Sequence, residues 1–235
     1  DAFQVGDVRV QDGLESPEYV AASCRKTGMD FMALTDHHLY EPSFEAAAFV
    51  KSFDTDFRAY PGEEVHPKDN PVHIINFGGA FSVNELLKDE NNYGAEADRT
   101  ETELDRDMHP VHRRQIAESE WCFRKIDEGG GISIYCHPYW QPLERNNVSN
   151  IVTDVILERR KFDALEVTGG FYRHQMESNA LAAARYNEER AKGKKIPVVG
   201  VSDAHGCDRD LFGWYYTIVL AESAEFRDIA GGIRN

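Results

Sequence analysis

Gly129-Gly130-Gly131-Ile132-Ser133-Ile134-Tyr135-Cys136-His137-Pro138 is the stretch on which the reading of the fold turns. The glycines close a helical pattern running from Arg114 to Glu128, and Ile132 to Cys136 is an apolar run of buried-strand length that leads directly into a histidine. Working outward, the same design recurs in Ala33-Leu34-Thr35-Asp36-His37, Tyr60-Pro61-Gly62-Glu63-Glu64, Val72-His73-Ile74 and Val201-Ser202-Asp203-Ala204-His205. In parallel α/β folds the carboxyl ends of the strands converge, and metal-binding or catalytic groups collect there. One such strand means little, whereas five in one chain point to a built site.

The segments between them alternate helix and strand. Ser16-Pro17 caps a helix that Gly28 closes, and Phe31 to Thr35 reads as a strand. A helix from Glu45 to Phe53, a strand from Phe57 to Tyr60 and another over Val72 to Phe77 follow. Residues 85–107 are rich in Asp, Glu and Asn and read as a surface excursion. Further units are the strand Ala164 to Val167 with a helix from Glu177 to Lys192, and the strand Pro197 to Val201. A last strand over Tyr215 to Leu220 and a short helix complete the pattern. This predicts one α/β domain over residues 1–235, with a parallel sheet covered by helices as either a barrel or an open sheet.

A chain of 235 residues with 41% hydrophobic and 29% charged residues can bury one sizeable core. Its formal net charge of −15 argues against a sequence-independent grip on long nucleic acid, although a phosphate can still bind where cations reverse the local sign. No apolar run is long enough to cross a membrane. Cys24, Cys122, Cys136 and Cys207 form no C-x-x-C pair and read as reduced packing residues, which fits a cytoplasmic setting.

Side-chain alternation sorts the candidates. Asp203 and His205, two apart, would face the same way in a strand, whereas of Asp36 and His37, or of Glu63 and Glu64, only one member would face the site directly. Nitrogen and carboxylate ligands without thiolate suit Zn²⁺, Mn²⁺ or Fe²⁺, and two ions bridged by a carboxylate can activate water and clamp a phosphate.

In Asp12-Gly13…Ser16-Pro17-Glu18, Thr35-Asp36-His37, Pro61-Gly62-Glu63-Glu64, His73, Cys136-His137-Pro138, Glu166-Val167 and Ser202-Asp203-Ala204-His205, the chain resembles the PHP (polymerase and histidinol phosphatase) family over nearly its whole length. The resemblance implies a distorted seven-stranded β/α barrel, and metal ligands at His37, Glu64, His73, His137, Asp203 and His205, with Glu64 as the bridge. It also implies two or three divalent ions and hydrolysis of phosphate esters of small molecules or short nucleotides by metal-bound hydroxide.

One departure stands out. The family's first motif, H-x-H at the end of strand one, is missing. Either the chain starts after it, which is the favoured explanation, or Asp7-Val8-Arg9-Val10-Gln11 is a degenerate copy. Asp12 fits the family's spacing, with Asp1 as the alternative equivalent. Two other readings stay open: an amidohydrolase-type enzyme acting on C–N bonds, and a catalytically degenerate barrel that binds a ligand or partner. His66, His109 and His112 read as surface residues, and Gly129 to Gly131 as a plain turn. Arg173 and His174 fall in the loop after Ala164 to Val167, where a phosphate clamp or leaving-group donor and a solvated loop are equally open.

Overall fold

The computed structural model describes every residue except 1, 6, 7, 12, 14, 54, 142–145, 170–175 and 209–211, and describes only the backbone along 2–5 and 8–11. Asp1, Asp12, Arg173 and His174 therefore lie outside the described residues.

The chain opens with an antiparallel hairpin, β1 (Ala2–Val5) and β2 (Val8–Gln11). Helix α1 (Pro17–Lys26) follows, with Ser16 Oγ accepting from the Tyr19 N–H as its cap. Next come β3 (Phe31–Ala33), α2 (Glu41–Lys51), β4 (Arg58–Tyr60) and β5 (Gly62–Val65). Strand β6 (His73–Phe77) leads through α3 (Val83–Leu87), a 3-10 turn at Glu90–Asn92 and α4 (Gly94–Glu103) to the long α5 (Pro110–Glu128). The remaining elements are β7 (Ile132–Cys136), α6 (Asn150–Arg159), β8 (Ala164–Gly169), α7 (Glu177–Ala191), β9 (Val198–Val201) and α8 (Phe226–Arg234).

The main sheet has the order β5-β6-β7-β8-β9. It is mixed rather than parallel: β6 runs antiparallel to both β5 and β7, while β7, β8 and β9 are parallel. The reason lies in the connections. Residues 66–72 join β5 to β6 with no crossover helix, and such a link returns the chain antiparallel. Strands β3 and β4 form a separate parallel pair, and β4 passes through Pro61 into β5. A parallel bridge from His37 to Glu64 ties the end of the β3 segment to β5. Among the described residues the longest sheet has these five strands, and no ring of seven closes.

Helices cover the sheet on both faces. On one side Trp121, Phe123 and Ile126 of α5 and Val152, Ile156 and Leu157 of α6 pack with Ile74, Tyr135 and Leu165. On the other, Ile229, Ala230 and Ile233 of α8 pack with Phe77, Ile132, Ile134 and Val199. Every residue of β7 is buried, as expected for a central strand covered on both faces. A third cluster joins α1 and α2 to the β3–β4 pair through Ala21, Met32, Ala46, Val50 and Phe57.

Three sequence expectations are corrected. The acidic stretch 85–107 contains the helix α4, which Ala97 anchors against α5 between buried Tyr93 and Leu104. Arg114 of α5 pairs with Asp98 and Glu101, so the acidic composition masks a docked helix. The α2 and α5 helices also start earlier than expected, at Glu41 and Pro110, each with proline in its first turn. Residues 215–220 form no strand; the segment is held to β9 where the Thr217 hydroxyl joins both the N–H and the carbonyl of Gly200.

Candidate metal centre

The centre forms where the ends of β3, β5, β6, β7 and β9 meet. Because β6 is antiparallel to its neighbours, its first residue, His73, lies in register with Cys136, the last residue of β7. His73 therefore arrives at the same edge as His137, although it sits at the opposite end of its own strand. Glu64 is brought beside His37 by the β3–β5 bridge, with the His38 N–H donating to the Glu64 carbonyl and the Glu64 N–H to the Asp36 carbonyl. Gly62 permits that approach, since a Cβ there would lie 2.9 Å from Thr35 Cγ2 and 3.1 Å from the Leu34 carbonyl oxygen.

Glu64 is 4% exposed and sits between two trios of ligand-type atoms. On one side its Oε1 lies 2.9 Å from His73 Nδ1 and 3.6 Å from His137 Nε2, and those two nitrogens are 2.7 Å apart. On the other, Oε2 lies 3.4 Å from His37 Nδ1 and Oε1 lies 3.5 Å from His66 Nε2, with 2.6 Å between the two nitrogens. Glu63, its neighbour, points the other way into the protein. It accepts from Asn76 Nδ2 (2.9 Å), Ser82 Oγ (2.7 Å), the Val83 N–H (2.6 Å) and Asn84 Nδ2 (3.0 Å).

Asp203 and His205 reach the centre from the segment after β9. The strand stops at Val201, and Asp203 takes a left-handed backbone with φ +46°, so simple alternation does not govern the pair. Asp203 Oδ2 lies 3.9 Å from His137 Nδ1, while the His205 ring faces His37 at a centroid distance of 6.3 Å. His137 is left-handed too, at φ +26°. Left-handed backbone at non-glycine residues costs free energy and clusters at functional sites.

The six residues that the family resemblance nominates thus lie around one place. Two contributors were missed. His66, expected at the surface, has a side chain only 13% exposed and stands in the His37–Glu64 trio. It lies just beyond the end of β5, and spacing from Glu64 is the one signal that could have found it: residues two apart share a face. Glu166 of β8 was matched by motif without a role. Its Oε2 is 3.1 Å from His137 Nδ1 and accepts the His137 backbone N–H, leaving Nε2 turned toward Glu64 and His73. A carboxylate behind a histidine in this way fixes the ring and its tautomer for metal binding. His109 is exposed, as expected, and caps α5 by accepting from the Val111 N–H, while His112 is half-buried.

The electrostatics follow from burial among carboxylates. Burial, with His66 and His137 alongside, pushes the His73 pKa down to about 3 against the pull of Glu64, so this imidazole is neutral. Burial opposes charge at His137 as well, but Glu166, Asp203 and Glu64 together outweigh it and hold its pKa up at about 10. Burial also works against the Glu64 charge, yet His66, His73 and His37 keep its carboxyl well below the usual range. Asp36, at the foot of the same loop, is raised by burial.

The donor set fits a divalent cation. Glu64 Oε1 is a buried oxygen without an aligned hydrogen-bond donor, surrounded by three imidazole nitrogens. Zinc bonds of about 2.0–2.1 Å at tetrahedral angles place ligand atoms roughly 3.4 Å apart. The distances from Glu64 to His37 (3.4 Å, Oε2), His66 (3.5 Å, Oε1) and His137 (3.6 Å, Oε1) are close to that spacing, while that to His73 (2.9 Å) and the two nitrogen pairs (2.6 and 2.7 Å) are shorter and would open around an ion. Cys136 adjoins His137 and Glu166, its thiol donates to the Ile134 carbonyl, and burial pushes its pKa well up. The ring of Trp140 stands 6.0 Å from that of His73 and 6.2 Å from that of His137. A cavity of about 690 Å³ adjoins the centre, lined by His37, Glu64, His137, Asp203 and His205 and by apolar residues such as Phe31 and Ile134. That volume suits a small molecule.

No family model matches the sequence, and no curated protein matches it. Solved structures do. A protein of Bifidobacterium adolescentis assigned as a metal-dependent phosphoesterase matches at 19% identity and a TM-score of 0.56, over 88% of each chain. A two-domain protein of Bacteroides vulgatus, containing a predicted PHP-like metal-dependent phosphoesterase, matches at 17% identity and a TM-score of 0.58, over 96% of this chain and 59% of that one. An amidohydrolase of Chromobacterium violaceum, solved with sulfate and without metal, matches at 18% identity and a TM-score of 0.51, over 86% of each chain. At identities this low the likeness is one of fold, which this chain shares with the PHP-like protein and with the other two.

Proposed function

We propose that the chain is a metal-dependent hydrolase of phosphate esters, acting on small phosphorylated molecules or short nucleotides. The observation that carries this reading is Glu64, a buried carboxylate set between two pairs of imidazoles with one oxygen lacking a donor. His37, Glu64, His73, His137, Asp203 and His205 are the residues we assign to hold divalent ions, with Zn²⁺, Mn²⁺ and Fe²⁺ as the candidates. Bound there, such ions would supply Lewis acidity to the phosphate oxygens and to the attacking water. The protein's own part is to place them: Glu166 fixes the His137 ring, and the apolar wall of the cavity, with Phe31 and Ile134, would give the leaving group a dry surface to lie against. The seven-stranded barrel of the family remains part of this proposal, as does a phosphate-facing role for Arg173 and His174.

The test is metal analysis combined with a phosphate-ester panel on the purified chain. Metal-dependent turnover is expected, with both bound metal and activity lost in His137→Ala and in Asp203→Ala. Full activity after chelation overturns the reading. The amidohydrolase among the similar folds supports a second reading, hydrolysis of C–N bonds at the same centre. Turnover of amides or lactams with none of phosphate esters would establish that one instead.

A further inference from the structure

We propose that His66 is a metal ligand, completing with His37 and Glu64 a cation pocket that shares the Glu64 carboxylate with the pocket of His73 and His137. The proposal rests on the metal-dependent reading above and extends it by one ligand.

Three observations support it. First, His66 is aimed rather than merely packed: Nε2 makes the 2.6 Å contact to His37 Nδ1 and the 3.5 Å contact to Glu64 Oε1. A nitrogen-to-nitrogen contact satisfies two neutral imidazoles only if one shares its proton, whereas a common cation satisfies both lone pairs. His37 and His66 each stand at about the tetrahedral spacing from a Glu64 oxygen, Oε2 for His37 and Oε1 for His66, and the two nitrogens need to open by less than about 1 Å.

Second, the backbone carrying His66 is clamped. Strand β5 ends at Val65, so His66 has no ladder partner to hold it. The side chain of Asn84, 4% exposed, takes that place. Its Nδ2 donates to the Glu64 carbonyl (2.9 Å), and its Oδ1 accepts the His66 N–H (3.1 Å). One amide thus grips the chain on both sides of Val65 and keeps the Glu64 and His66 side chains on one face. Asn84 is in turn held by the Glu63 carboxylate at 3.0 Å. Asn84 is therefore a positioning residue for His66.

Third, the His66 ring is enclosed by other rings: its centroid lies 4.1 Å from that of His73, 4.6 Å from that of His37 and 4.9 Å from that of His38. Four imidazoles and one carboxylate at this density form a nitrogen-rich pocket, and a packing role needs no such set.

The experiment counts ions and does not depend on turnover. The full chain is stripped with chelator, titrated with Zn²⁺ and passed through gel filtration, and the metal per chain is measured, with circular dichroism to verify folding. Wild type is expected to hold two ions and His66→Ala one. Asn84→Ala should keep two but weaken one of them about 10- to 100-fold, the usual effect of losing an outer-shell partner. His66→Gln retains bulk and polarity if alanine proves disruptive. Histidine-selective NMR of the wild type needs no variant at all, because the ring nitrogens of His66 should shift as Zn²⁺ is added. If His66→Ala or His66→Gln keeps both ions with affinities within about twofold of wild type, or the His66 nitrogens do not move, the assignment is overturned. A wild type that binds no ion overturns the metal-dependent reading itself, whereas one that binds ions indifferent to His66 removes this proposal alone.

Discussion

Replacing Glu63 with glutamine would show how much of the fold's stability is invested in holding the metal centre in place. Glu63 is fully buried, and its oxygens accept four hydrogen bonds, two each. An acceptor met by four donors is suited only by a carboxylate. Glu63→Gln keeps the shape but turns an NH₂ toward one pair of donors, so two bonds to a charged acceptor are lost. At about 1.5–3 kcal/mol for each such bond, the loss is roughly 3–6 kcal/mol, a large part of the ~5–15 kcal/mol that stabilises a domain. Even the lower figure should depress the melting temperature by roughly 6–12 °C for a chain of this size. Urea titration of chelator-treated protein, followed by circular dichroism, measures the loss without metal complicating it. A change below about 1 kcal/mol would refute the reasoning, because it would mean that these donors find water or other partners at no net cost.

Further outcomes are expected elsewhere. Gly78 has φ +76°, and a Cβ there would lie 2.1 Å from the Phe226 ring, so Gly78→Ala should cost about 2–5 kcal/mol by urea midpoint, part of it recovered when Phe226→Ala is added. Leu165→Ala, at a position 1% exposed between β7 and β9, should cost about 2–5 kcal/mol in the same assay. Zn²⁺ at about 100 times its dissociation constant should stabilise the chain by about 2.7 kcal/mol, and chelation should abolish the gain. Phosphate should raise the melting temperature of the metal-loaded protein and leave that of chelated protein unchanged, since the centre without cations presents the carboxylates of Glu64, Glu166 and Asp203.

What could be read from sequence is what local geometry governs. Strands that run into His137, His37 and Glu64 are recognisable because burial and the charged terminus lie in one continuous stretch. The opposed directions of Glu63 and Glu64 likewise follow from alternation inside β5. What could not be read depends on long-range pairing. His73 reaches the centre because β6 is antiparallel, which its own sequence does not declare. His66 depends on an asparagine 18 positions further along the chain. The helix α4 was hidden because its docking uses one small residue, Ala97, and ion pairs to Arg114, leaving composition dominated by acid. Residues 215–220 have strand-like composition, but their attachment to β9 runs through a threonine side chain in place of a backbone ladder.

The centre gathers features that a packed core does not require. His137 and Asp203 hold left-handed backbone, at about 1–3 kcal/mol for such a conformation. One oxygen of a buried carboxylate lacks an aligned donor, and two pairs of imidazole nitrogens are pressed within 2.6 and 2.7 Å. A sequence selected for stability alone would replace several of these groups with apolar side chains of similar volume, often at no loss. Their joint presence around one carboxylate, braced from behind by Glu63, Asn84 and Glu166, therefore needs a different explanation. A divalent cation held there would supply a partner to Glu64 and take up imidazole lone pairs, and the backbone at His137 and Asp203 would then serve to aim their side chains at it. The Glu64 carboxylate that both pockets would share is what would couple them, so that filling one alters the carboxylate on which the other depends.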